Sequence, residues 1–205
     1  MIDYELDAGR PLSEDPSDGT LFPDPYPDEL LYSACARYAD RVRYVNKQSV
    51  REELLGKIGC SVIIDFPSHL QFLSRMIPNN NYSVDELISE NTLLPFFEPF
   101  LPCDRAEIVR QEMSKSSETN KISARLEIRV KQVRPPDYLR FCPLCVKNDR
   151  EQYGEIYWHR LHLITGVIIC PLHRCFLENS LLRWGKESRS SFQVAEENIF
   201  QIEPN

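Results

Sequence analysis

Several chemistries are missing from this chain of 205 residues. There is no G-x-x-x-x-G-K-[ST] loop, so the chain carries no P-loop nucleotidase of its own. There is no H-E-x-x-H and no G-x-S-x-G, which removes the common zinc-peptidase and serine-hydrolase signatures. A transposase centre holding two metals needs a spaced set of carboxylates. The acids here gather in the first thirty residues and at expected helix starts, where solvation and capping account for them. No enzymatic activity is therefore expected. No apolar run approaches the roughly 18 residues of a membrane helix, so no membrane partner is expected. The opening MIDYELDAGR is acidic and lacks an apolar signal core, which points to the cytoplasm. An excess of positive charge is also missing. The formal net charge is −7, which argues against a simple DNA-binding domain.

What is present is ordinary for a globular protein of one or two domains, with 42% hydrophobic and 27% charged residues. The charge is unevenly spread. Residues 1–30 hold nine acids against one base, whereas residues 121–189 hold thirteen Lys or Arg against seven acids, a net of +6. The carboxy-terminal half is thus basic, which permits a nucleic-acid face, although a solvated charged surface has the same signature.

Cysteine supplies the sharpest signal. Cys142 and Cys145 form a C-x-x-C knuckle, and Cys170 and His173 form a C-x-x-H knuckle, with 24 residues between them. Two-residue spacing lets both side chains of a knuckle turn toward one ion. Four thiolate or imidazole donors close a tetrahedral zinc site and leave no open position, the pattern of a structural ion. Both knuckles begin C-P-L. That matching frame favours His173 over Cys175 as fourth ligand, with Cys175 the alternative. His159 and His162 are weaker candidates, and core or surface histidines are the plain reading of both. Buried free thiols or a disulfide are the competing reading of the cysteines. A chain without secretory features more often uses such pairs for metal. Cys35, Cys60 and Cys103 sit among apolar neighbours and are expected to be buried thiols.

Along the chain, residues 1–20 read as a flexible acidic arm. Residues 21–116 read as a helical domain, 117–180 as a zinc-binding module, and 181–205 as a tail or the start of a further region. Pro27 suits the first turn of a helix over about 27–43. Capping signatures at Ser49/Glu52, Ser68/Gln71, Ser83/Glu86 and Asp104/Glu107 predict helices over about 50–58, 68–77, 84–92 and 105–116. Gly59 is the expected end of the first of these, and Pro95 stops the third. PFFEPFLP then forms an apolar, packed connector. The pair at 30–43 and 49–58 is a helix-turn-helix candidate, and a plain bundle fits equally well. The stretch 114–124 is the clearest linker, and LEIRVKQV alternates like a short strand. Glu155 to Leu163 reads as a helix or ordered turn with Tyr157, Trp158 and Leu161 inward. The fold class is therefore mainly α, a helical amino-terminal domain plus a small zinc-finger module. Candidate phosphate-contacting bases are Lys47, Arg51, Lys57, Arg129, Lys131 and Arg134. Phe22, Tyr26 and Tyr32, beside a proline-stiffened FPDPYP, are candidate partner anchors.

The run CPLC, YGEIYWHRLHLITGV and CPLHRCFL, preceded in order by PYPDELLYSACAR, FPSHLQFL and ENTLLPFFEPF, resembles the TniQ/TnsD family of transposon target-selection proteins. The resemblance covers about Leu21 to Leu177. It implies a bacterial, DNA-associated zinc protein that tells a transposition machine where to insert. It would associate with target DNA and recruit the transposon's AAA+ ATPase, which calls the transposase. In CRISPR-associated relatives an RNA-guided effector complex makes the delivery. A zinc-finger transcription regulator is the alternative reading.

Overall fold

A computed structural model describes residues 22–43, 47–56, 62–77, 82–115 and 135–200. The expected arm, the linker, the LEIRVKQV strand and Cys60 fall outside these residues. Among the described residues the fold is mainly helical, with one two-stranded sheet.

The amino-terminal half holds α1 (Leu31–Val42), α2 (Lys47–Leu55), α3 (Leu70–Met76), α4 (Val84–Asn91), α5 (Leu94–Phe97) with a following 3-10 turn, and α6 (Cys103–Ser114). The helices stand near the expected places, but their ends differ. Helix α1 begins at Leu31, after Pro27 and Asp28 have made a turn, because that turn is held by pairing with a distant segment. Helix α2 starts at Lys47, so Ser49 lies inside it and cannot cap it. It ends at Leu55. The left-handed terminator is Gly56, φ 66°, rather than Gly59. A Cβ at Gly56 would lie 2.7 Å from the Phe72 ring, so only glycine fits. Ser68 caps nothing, since His69 takes the N-cap position of α3 in a left-handed conformation. Helix α6 starts one residue before Asp104, behind Pro102, without a side-chain cap. The Ser83/Glu86 box forms in full: the Ser83 hydroxyl accepts from Glu86 N, and the Glu86 carboxylate accepts from Ser83 N. Pro95 opens the short helix α5. In the connector Phe96 and Phe97 pack against the core, but Phe100 is exposed. Cys35 is buried as expected, whereas Cys103 is exposed.

The carboxy-terminal half runs β1 (Tyr138–Phe141), α7 (Pro143–Tyr153), α8 (Arg160–Leu163), β2 (Glu178–Arg183) and α9 (Lys186–Ser190). Strands β1 and β2 pair antiparallel, with Phe141 opposite Glu178 and Tyr138 opposite Arg183. The sheet is completed by residues that reach into the stretch expected as a tail or the start of a further region from 181. That stretch also buries Leu182, Ala195 and Ile199 in a core shared with Leu30, Leu87, Leu139 and Trp158. Between α7 and α8 the chain is extended rather than helical. Trp158 is fully buried, with its indole N–H donating to Gln193 O, while Leu161 is only half-buried.

The two halves meet through backbone. Leu30 N donates to Trp158 O and Arg160 N to Asp28 O, both at 2.9 Å, closing an isolated bridge between Glu29 and His159. Trp158 N donates to Ser33 Oγ, and Tyr157 Oη to Pro27 O. The Arg160 guanidinium reaches Ser89 O and Thr92 O, where a cation meets the negative end of α4.

Candidate metal centre

Strand β1 delivers Cys142 to the start of α7, where it holds the N-cap position. Pro143 occupies the first turn, in which a missing N–H costs nothing, and Cys145 lies one turn into the helix. The second knuckle sits at the tip of a hairpin. Cys170 N donates to Cys175 O and Leu177 N to Ile168 O, with Ile169 paired to Phe176. Arg174 turns the chain at φ 55° and donates its N–H to Cys170 O. Because β2 follows this hairpin directly and pairs with β1, the tip is carried back onto Cys142.

The four donors of Cys142, Cys145, Cys170 and His173 lie within 4.8 Å of one another. His173 Nδ1 is 3.4 Å from Cys142 Sγ, 3.3 Å from Cys145 Sγ and 3.7 Å from Cys170 Sγ; Cys145 Sγ and Cys170 Sγ are 3.8 Å apart. Ligands at the usual zinc distances on tetrahedral corners stand about 3.8 Å apart for two sulfurs and about 3.6 Å for sulfur and nitrogen. The donor set thus fits a metal ion, and Nδ1 is the imidazole atom turned inward. Nε2 of the same ring lies 3.0 Å from the side-chain amide of Asn148 on α7. Cys175 Sγ lies 3.3 Å from Cys142 Sγ but does not join the group of four. The hairpin geometry therefore favours His173 over Cys175. Burial pushes the Cys142 thiol up to about 12 and that of Cys145 upward too, with neighbouring sulfurs adding to the effect. Cys142 and Cys145 therefore resist ionisation on their own, and a cation at the cluster reverses that balance.

Cys145 also belongs to a second buried group with His159 and His162. His162 Nε2 is 3.6 Å from Cys145 Sγ. Burial, with the positive neighbours His159 and Arg140 adding to it, brings the His162 ring down to about 2, so it is neutral. His159 behaves in the opposite way. Burial works against its charged form, but hydrogen bonds to Asp149 at 2.9 Å and to Asp28 overcome this and raise it to about 9. Beyond His159 runs a buried polar seam. Arg37 Nη1 lies 2.7 Å from Glu29 Oε2, and Arg37 Nε lies 3.0 Å from Glu155 Oε1. Tyr26 Oη donates to the same Glu155 oxygen, and the guanidinium covers the Tyr26 ring at 3.8 Å. Burial pushes Glu29 up, opposed by Arg37. Burial would raise Glu155 as well, but Tyr26, Arg37 and Arg41 hold it below the usual carboxylate range.

The candidate partner anchors are placed inward. Tyr32 is 2% exposed, with its hydroxyl donating to Ser191 O and accepting from Gln193 N. Tyr26 stacks on Tyr153 at 4.3 Å, and Phe22 packs on Tyr38. Tyr32 is thus enclosed by the fold, while Phe22 and Tyr26 are half-buried at its edge. Among the exposed apolar residues, Ile168, Leu172 and Phe176 on the Cys170–Cys175 hairpin are 58%, 63% and 71% exposed, with Leu144 of the first knuckle at 45%. Of the candidate DNA contacts, Lys47 and Arg51 lie on α2, where Arg51 is half-buried. Lys57, Arg129, Lys131 and Arg134 lie outside the described residues. Sequence reading passed over Asp28, Glu29, Arg37, Asp149 and Glu155. The only signal available was charge inside the motif stretches PDELL, SACAR and GEIYW, and Asp149, in the polar VKNDREQ, lacked even that.

No helix among the described residues is long and apolar enough to cross a membrane. The TniQ family model matches residues 20–177, most of the chain and both halves of the fold. The chain is 29% identical over 153 residues to transposon Tn7 transposition protein TnsD of Escherichia coli. That match covers 74% of this chain and 30% of the relative, so the chain spans about a third of that protein's length.

Proposed function

The chain belongs to the TniQ family, and from that premise we propose that it selects target sites in DNA transposition as a non-catalytic adapter. In this reading it associates with target DNA and recruits the transposon's AAA+ ATPase. The observation that carries the reading is the match to a transposition protein over 74% of the chain, beside a family match that runs from residue 20 to 177 and takes in both knuckles. The ion is zinc. Three sulfurs and one imidazole nitrogen, closed and buried, suit that borderline-soft cation better than a hard one. Cys142, Cys145, Cys170 and His173 hold it, and it contributes folding energy to the β1–β2 module.

Two surfaces support an adapter. The hairpin bearing Ile168, Leu172 and Phe176 is an apolar face fixed by the ion, and such a face suits a protein partner. Its greater exposure supports it as the ATPase site ahead of Phe22, Tyr26 and Tyr32, which are partly or wholly buried. The basic carboxy-terminal half, with Arg129, Lys131 and Arg134, and α2, with Lys47 and Arg51, supply phosphate contacts. DNA affinity then falls steeply with salt and little with sequence. An RNA-guided complex is a route of delivery that needs no base reading by this chain.

The test pairs a pull-down of the cognate transposon ATPase with a DNA mobility shift at low and moderate salt. The Leu172→Asp, Phe176→Asp double variant should keep its metal and its DNA shift but lose ATPase capture tenfold or more, about 1.4 kcal/mol. A wild-type chain that shifts DNA with strong sequence preference and never captures the ATPase would be a zinc-finger transcription regulator instead.

A further inference from the structure

We propose that His162 is a positioning residue of the metal centre. Its Nε2–H donates to the Cys145 thiolate, and through His159 it couples the seating of the Asp28 segment to the ion. The inference rests on the metal assignment above.

A divalent cation with three thiolates and one neutral imidazole carries a net charge of −1. The three sulfurs belong to residues that are almost wholly buried. N–H donors must spread that charge, because buried sulfur has no water to do so. Cys170 Sγ receives the backbone N–H of His173 at 3.5 Å. Cys142 Sγ is approached by backbone N–H groups of Leu144 and Cys145 within its own knuckle. Beyond Cys145 the backbone N–H groups are committed to the helical ladder, beginning with Val146 N to Cys142 O. The donor set against the Cys145 sulfur is a side chain, His162 Nε2 at 3.6 Å.

The His162 ring is held for this task. It is 3% exposed, and its face lies against His159, with ring centroids 4.7 Å apart. His159 is fixed by Asp149 Oδ2 at 2.9 Å and stands 3.8 Å from Asp28 Oδ2. Asp28 also accepts the Leu161 N–H, one residue before His162. The chain of contacts therefore runs from the amino-terminal PDEL turn, through two imidazoles, to one metal ligand. A ligand-supporting donor of this kind typically changes metal affinity 10- to 100-fold.

The experiment uses the full chain with zinc, cobalt and cadmium as probes. Zinc affinity is measured by competition with a chromophoric chelator. His162→Leu should weaken it 10- to 100-fold and shift the sulfur-to-cobalt charge-transfer band. His162→Gln, which keeps an N–H donor, should recover most of both. Unchanged affinity and an unshifted band in His162→Leu would reduce His162 to a packing residue. Loss of a second equivalent of metal would make it a ligand of another site. Should His162→Leu fail to fold, NMR of the wild-type chain loaded with cadmium-113 decides. The expected result is a His162 proton on Nε2 with a coupling to cadmium through the sulfur, and a proton on Nδ1 overturns the proposal. A wild-type chain that binds no ion removes the metal reading as well; one equivalent bound with Nδ1 protonated removes only this one.

Discussion

The candidate metal centre and the polar seam beside it perform the same task by opposite means. Each ties together parts of the chain that are far apart. The centre joins Cys142 to His173, 31 residues on, while the seam joins Tyr26 and Arg37 to Glu155, 129 and 118 residues on. The centre does so with four donors in two short knuckles, each shaped by its own local turn. The seam does so with single residues, Asp28, Glu29, Arg37, Asp149, Glu155 and His159, none adjacent to its partner in sequence. The lesson is about failure as much as assembly. A metal site loses nearly everything with any ligand, since the ion binds the set. A charge network fails by stranding a charge, and the cost depends on how deeply the abandoned partner is buried.

The largest expected effect separates the two regions. Cys142→Ser should abolish the tightly bound equivalent of metal and melt the β1–β2 module. Structural zinc in small fingers contributes about 10–16 kcal/mol of apparent binding energy, far more than a typical domain's margin. Metal analysis and a melting curve with and without chelator check it. Full metal content and unchanged melting would remove the assignment. His173→Ala against Cys175→Ala sharpens the result: the first should lose the ion, the second should keep it.

Next in size is the seam. Arg37→Met leaves Glu29, fully buried, without its cation. Breaking a buried pair by removing one partner costs about 3–5 kcal/mol. Urea denaturation should show that loss while metal content stays at one equivalent. If metal falls in step with stability, the seam and the centre are one cooperative unit.

The smallest effect is a pH dependence carried by His159. Its folded-state value, about 9, lies above the unfolded value of 6.5. The charged ring therefore stabilises the fold fully below pH 6.5, and that contribution is lost as pH rises through about 9. Melting temperature should fall between pH 6.5 and 9 in the wild type and more weakly in His159→Gln. Parallel curves would show that His159 holds no proton there.

The sequence by itself determined the features whose chemistry is local. The two C-P-L knuckles pointed to the donors the fold brings together, with Cys175 left as an alternative to His173, because a shared ion demands short fixed spacing. The Ser83/Glu86 box was legible for the same reason, since both partners lie within one turn. The mainly helical class followed from periodicity. Tertiary structure decided the rest. It turned Tyr26 and Tyr32 inward, because a folded segment at 27–30 pairs with 158–160 and carries them with it. It made Ser49 a helix-interior residue and replaced Gly59 by Gly56, because helix ends are set by what they pack against, here the Phe72 ring. It converted the stretch from 178 into a strand, because β1 needed a partner to close the metal hairpin over Cys142. Arg37, Glu29 and Glu155 carried no signal of their pairing until the fold set them against one another. Paired charges can be buried where single ones cannot, and the pairing is a property of the folded chain alone.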